Sequence, residues 1–144
     1  MSGRVIACAI LLCLAGETRG TEKVWGALVY ATPRVEEARE EPGLEPFRKE
    51  LSQVFGYRHF RILGDQTKDI EAVGERWVIP GRGFSVLLQP KKAGRNGGEF
   101  HIELFQERKL LVATDARVLR DHPLFIRGPL YANGQLVIVL AIKD

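Results

Sequence analysis

The chain has 144 residues, 45% of them apolar and 27% charged, with 21 Lys and Arg against 18 Asp and Glu for a formal net charge of +3. That length is about one domain's worth of chain, and the composition excludes a disordered chain, a collagen-like repeat and a multi-span membrane protein. An excess of three positive charges is too weak to imply nucleic acid as a partner.

Residues 1–20 have the layout of an export signal: Arg4 near the start, an apolar run over 5–15, then Gly16, Glu17, Thr18, Arg19 and Gly20. Eleven apolar residues at ~1.5 Å each cover about half of a ~30 Å hydrocarbon core, so no transmembrane anchor is expected. Thr18 and Gly20 supply the small residues before a cut after Gly20. Cys13 follows Leu12 and Cys8 lies too early in the run, so neither suits a lipoprotein anchor. Both cysteines of the chain fall in this segment. The expected mature chain, 21–144, therefore has no disulfide, thiolate metal site or cysteine nucleophile. Loss of Arg4, Glu17 and Arg19 leaves 19 bases and 17 acids.

The mature chain reads as a single β-rich domain. A first strand is expected over 24–31, followed by a charged linker between Pro33 and Pro42. Leu44, Phe47, Leu51, Val54 and Phe55 follow helical spacing, which predicts an amphipathic helix from Leu44 to Phe55. Pro46 suits its first turn, and Gly56 suits a left-handed end. Beyond it, strands are expected over 57–63, 69–73 with 76–79, 84–89, 99–106, 110–115, 124–127 and 135–142. Turns are read at 64–66, 80–83, 90–98, 128–129 and 133–134. Phe100, Ile102 and Leu104 share one face of their strand, and Glu99, His101 and Glu103 the other, so one sheet has a wet side. Residues 136–142 are apolar on both faces and belong in the middle of a sheet. The expected fold is α+β, mostly β: an antiparallel β-sandwich of seven or eight strands covered at one edge or end by the helix. Charge divides along the same line, with six acids and four bases over 33–50 and fourteen bases and ten acids from Ser52 onward.

The stretches around Phe55 to Leu63, Trp77 to Pro90 and Pro123 to Leu140 resemble a group of small exported bacterial proteins with a β-sandwich-like domain and no assigned function. The resemblance spans most of the mature chain and rests on turn glycines and core apolar residues. It implies fold and export, and it carries over no catalytic residue.

Reactive constellations are sparse. His59, His101 and His122 show no ligand spacing, so no metal or cofactor is expected. Ser52 and Ser85 lie outside any nucleophile elbow. Glu99, His101 and Glu103 alternate as any half-exposed strand does. The glycines at 81 and 83 and at 94, 97 and 98 lead into no helix, so they make no phosphate loop. Tyr57, Phe60, Trp77 and Phe84 fall on core phases, which leaves no interleaved aromatics for single-stranded nucleic acid. The basic group Arg82, Lys91, Lys92 and Arg95 is the one candidate contact for an anionic ligand, set against a solvated hairpin tip. These features favour a non-enzymatic binding or assembly module of a bacterial cell envelope or exterior, secreted or periplasmic, whose partner is another envelope or secreted protein. The alternatives are a hydrolase of glycans or phosphoesters using Asp65, Asp69, Glu71 or Glu75, and a weak binder of anionic polymer.

Overall fold

The computed structural model describes residues 22–37, 39–71 and 73–143. The expected leader, 1–20 with its cut after Gly20, lies outside them. Eight strands form two antiparallel four-stranded sheets, confirming the mostly β sandwich.

The first sheet has the order β2-β1-β8-β7, from β1 (Lys23–Thr32), β2 (His59–Asp69), β7 (Leu124–Tyr131) and β8 (Gly134–Lys143). The second has the order β3-β4-β5-β6, from β3 (Trp77–Gly81), β4 (Phe84–Gly94), β5 (Gly97–Gln106) and β6 (Lys109–Leu119). β8 is central, as its two apolar faces require, and β1 lies beside it with Leu28 opposite Ile138. One core fills the space between the sheets, with Leu28, Ile79, Leu88, Phe100, Ile102, Leu104, Ile138 and Leu140 fully buried.

The helical segment lies elsewhere than at an edge or end. A 3₁₀ stretch, Pro42–Phe47, leads into the α-helix α1 (Arg48–Phe55), and both lie across the outer face of the first sheet. Leu44, Leu51, Phe47 and Phe55 pack there on Trp25, Ala27, Val29, Ala31, Val137, Val139 and Ala141. The reason lies in β1 and β8: strands apolar on both faces need cover on both sides. Phe47 stacks on Trp25 with ring centroids 5.9 Å apart. Complete burial of Leu44 and of Leu51 contributes roughly 2 kcal/mol each. The first turn is 3₁₀ because Pro46 has no N–H for an α-type bond, while Leu44 N–H already donates to Glu41 O. Gly56 ends α1 at φ 81° and donates to Ser52 O, as expected.

Several expected turns are strand. β2 continues through Gly64, Asp65 and Gln66, because Gly64 is where its edge meets β3: a Cβ there would sit 2.0 Å from Pro80 O. Gln66 Nε2 also donates to Val78 O, joining the two sheets at this side. Conversely, 70–71 and 73 form a turn rather than a strand. Pro90 does not end β4, since a bulge between Pro90 and Lys92 absorbs its missing donor and the strand runs to Gly94. Gly128 and Pro129 are likewise a bulge inside β7. β6 extends to Leu119, four residues beyond its expected end.

Gly64→Ala should lower stability by about 1–3 kcal/mol, because the Pro80 carbonyl belongs to backbone and yields poorly. Gly94→Ala, whose Cβ would meet its nearest neighbour at 3.6 Å, should change it by no more than about 0.5 kcal/mol. Denaturant midpoints check this, and equal midpoints for the two variants would contradict the close approach.

Candidate functional site

The helical layer covers the outer face of the first sheet, and among the described residues no element covers the outer face of the second. Side chains alternate along a strand. With Val86, Leu88, Phe100, Ile102, Leu104 and Val118 turned inward, the outer face presents Ser85, Leu87 and Gln89 from β4, Glu99, His101, Glu103 and Phe105 from β5, and Ala113, Asp115 and Arg117 from β6. Register arranges them in rows. Val78, Leu87, Glu103 and Ala113 form one, Gln89, His101 and Asp115 the next, and Lys92, Glu99 and Arg117 a third. Val78 at 51% exposure and Leu110 at 48% flank Leu87 and Phe105, so one end of the face is apolar and the other is charged.

His101 is the centre of the charged end. Its Nδ1 lies 2.7 Å from Asp115 Oδ1 and its Nε2 3.0 Å from Glu103 Oε2. A neutral imidazole donates from one nitrogen only, whereas the imidazolium donates from both and satisfies both carboxylates. The hydrogen bond to Glu103, then that to Asp115, raises the His101 pKa above its ordinary 6.5. Sequence spacing brings Glu103 beside His101. Asp115 arrives only through the β5–β6 register, and the Leu104/Phe105 bulge sets that register from the turn side.

This geometry binds a proton, and among the described residues it brings no serine within reach of the imidazole. Ser85 lies two rows from His101, ~13 Å along the strands, far beyond hydrogen-bond reach. The two carboxylates sit on opposite nitrogens of the ring and so do not converge on a metal position. Among the described residues no group of three His, Cys, Asp or Glu is arranged to hold a metal ion.

The structure divides the expected basic group. Arg82 occupies the β3–β4 turn at φ 45°, followed by Gly83 at φ 86°, a two-residue hairpin turn. Arg95 occupies the turn at the other end of β4, ~33 Å away. Lys91 is the extra residue of the bulge, and Lys92 stands opposite Glu99. Lys92, Asn96, Glu99 and Arg117 line a depression of about 100 Å³ together with the turn glycines. Arg117 joins this group only because β6 is four residues longer than its pattern suggested.

The alternative acids are spread out. Asp65 Oδ2 accepts from Trp25 Nε1 at 2.9 Å, Asp69 pairs with Lys23 at 2.9 Å, and Glu71 and Glu75 are exposed in the β2–β3 connection. Asp65 and Asp69, four residues apart on one strand, stand ~13 Å from each other, wider than the ~5–9.5 Å that paired carboxylates need for glycoside hydrolysis. A wider pocket of about 260 Å³, lined by Pro33, Gly56, Tyr57, Arg58 and His59, opens at the end of α1. Among the described residues no helix is long and apolar enough to cross a membrane. Comparison of the chain with protein-family models, curated proteins and solved structures found no match.

The raised His101 pKa fixes a pH dependence. The folded value lies above the unfolded 6.5, so the stabilisation is fully present below pH 6.5 and is lost as pH rises through the folded value. Titration of the ring protons by NMR should give a midpoint above 6.5, shifted down in Asp115→Asn and further in Asp115→Asn with Glu103→Gln. A wild-type midpoint at or below 6.5 would contradict the bridged imidazolium.

Proposed function

We propose that this protein is an exported, non-enzymatic binding or assembly module of the bacterial cell envelope or exterior, and that it engages another envelope or secreted protein through the open face of the β3-β4-β5-β6 sheet. The observation that carries this reading is the inequality of the two outer faces. One is closed by α1 and the 3₁₀ stretch. The other carries exposed Val78 and Leu110 and half-buried Phe105, around the buried Leu87, beside the charged rows of His101 and Glu99. That combination of apolar contact area and ordered charge suits protein recognition. Export rests on the leader pattern of residues 1–20. Lys91, Lys92 and Arg95, with Arg117 added, would favour an acidic flank on the partner.

Capture from envelope extracts tests the face. Val78→Asp with Leu110→Asp, both at half-exposed positions, should lose the envelope protein that the wild type recovers. Equal recovery by the variant would sink the assignment. So would hydrolysis of a glycan or phosphoester that disappears in His101→Ala. Export is tested separately: intact-mass analysis of the exported protein should give an N-terminus at Thr21, and an N-terminus at Met1 would contradict it.

A further inference from the structure

Two four-stranded sheets have four edge strands, and three of them are guarded. The β2 edge is covered by the segment before the helix, where Arg39 N–H donates to Phe60 O and Glu41 Oε2 accepts from Ile62 N–H. The β3 edge carries Pro80, which has no N–H, and lies against Gly64 and Gln66 of β2. The β7 edge is broken by the bulge at Gly128 and Pro129. Bulges, prolines and covering segments are the usual means of preventing strand addition.

Among the described residues β6 has no proline or covering segment between Val112 and Val118, and its own bulge, at Leu111, lies toward the turn with β5. It spans eleven residues without proline and pairs only with β5 in its sheet. Arg120 N–H donates to Asn96 O on the β5 side. By antiparallel alternation, Val118, Ala116 and Thr114 also direct their backbone groups to β5. Leu119, Arg117, Asp115 and Ala113 direct theirs away from it. Leu119 O accepts from His122 N–H, which closes the edge at that end and leaves Ala113, Asp115 and Arg117 as its open part. The Asp115 side chain is 73% exposed, and Ala113 and Arg117 are exposed.

We infer that two copies of this chain pair antiparallel through their β6 edges about a two-fold axis at Ala116, joining their second sheets into one. The register follows from charge. An axis at Asp115 would set that carboxylate opposite its own copy, and an axis at Arg117 would do the same with two guanidinium groups. An axis at Thr114 would leave both charges facing apolar residues. The axis at Ala116 alone sets Asp115 opposite Arg117 of the second copy, twice by symmetry. On the outer face the joined row then runs Lys92, Glu99 and Arg117, followed by Asp115 and His101 of the second copy. Its charges alternate in sign throughout with His101 protonated. Ala113 of each copy falls beside the Leu119–His122 turn of the other, so the shared ladder is confined to residues 115–117. This pairing depends on the β6 edge and not on the partner proposed for the open face, so either stands without the other.

Sedimentation equilibrium of the protein expressed from the full sequence should show a dimer. Arg117→Asp sets two carboxylates opposite each other and should weaken the dimer by at least about tenfold. Adding Asp115→Arg to it should restore association, because the opposed charges are then exchanged rather than removed. Ala116→Cys places two thiols across the axis in a pair whose Cα atoms are ~4.5 Å apart, within disulfide reach. In a Cys8→Ser, Cys13→Ser background it should give a covalent dimer on oxidation, and that background alone should not. A wild type that stays monomeric up to about 1 mM overturns the pairing. So does a dimer that Arg117→Asp leaves unchanged, or one in which Ala116→Cys does not cross-link. Should Arg117→Asp fail to fold, the Ala116→Cys result decides alone.

Discussion

The pairing of β1 with β8 is the constraint on which the rest of the molecule depends. From Val24 to Ala31 and from Leu136 to Ile142 these strands are buried on both faces, so neither can border solvent and each needs a layer above and below. The second sheet supplies one layer and the segment 42–55 the other. Ala27, Ala31 and Ala141 leave room on the outer face for the helix, while Leu28, Ile138 and Leu140 fill the space between the sheets. Among the described residues the segment 42–55 is the only helical layer packed on a sheet, and it leaves the outer face of the second sheet bare. The candidate binding face is that remainder, and its position is a consequence of how the β1–β8 pair is covered.

Electrostatics then shapes the bare face. A histidine between two carboxylates holds its proton more tightly, which keeps the row across Gln89, His101 and Asp115 from becoming a block of negative charge. The neighbouring row alternates Lys92, Glu99 and Arg117. Such rows are worth little as isolated exposed pairs. Their value is directional, since an alternating row ending at an open edge is completed by a complementary row and opposed by a like one. The guarded edges at β2, β3 and β7 make the open one at β6 conspicuous by contrast.

Much of this architecture is legible in the residues, and the parts that are not have definite physical causes. The spacing of Leu44, Phe47, Leu51 and Phe55 marks the helix, and the unbroken apolar run 136–142 marks a central strand. The location of the helix was also implicit, because Trp25, Ala27, Val29 and Ala31 make β1 apolar on its outer phase as well. Gly64, Pro90 and Gly128 look like turn residues in the sequence because glycine and proline signal a turn, a bulge or a close backbone approach alike, and only the neighbouring strand decides among them. The pairing of His101 with Asp115 was hidden for a different reason. It joins residues fourteen apart in sequence through a register that the bulge at Leu104/Phe105 shifts, whereas Glu99, His101 and Glu103 by themselves look like any half-wet strand. Arg82 is near Lys91, Lys92 and Arg95 in sequence, but an extended strand carries its two ends far apart.

Native-state amide hydrogen exchange tests the central claim most directly. If the β1–β8 pair is the doubly covered centre, its amides should exchange slowest in the protein and together, only through global unfolding. Those of β3 should open earlier. Exchange in β1 and β8 as fast as in β3, or at two distinct rates for the two strands, would contradict the account.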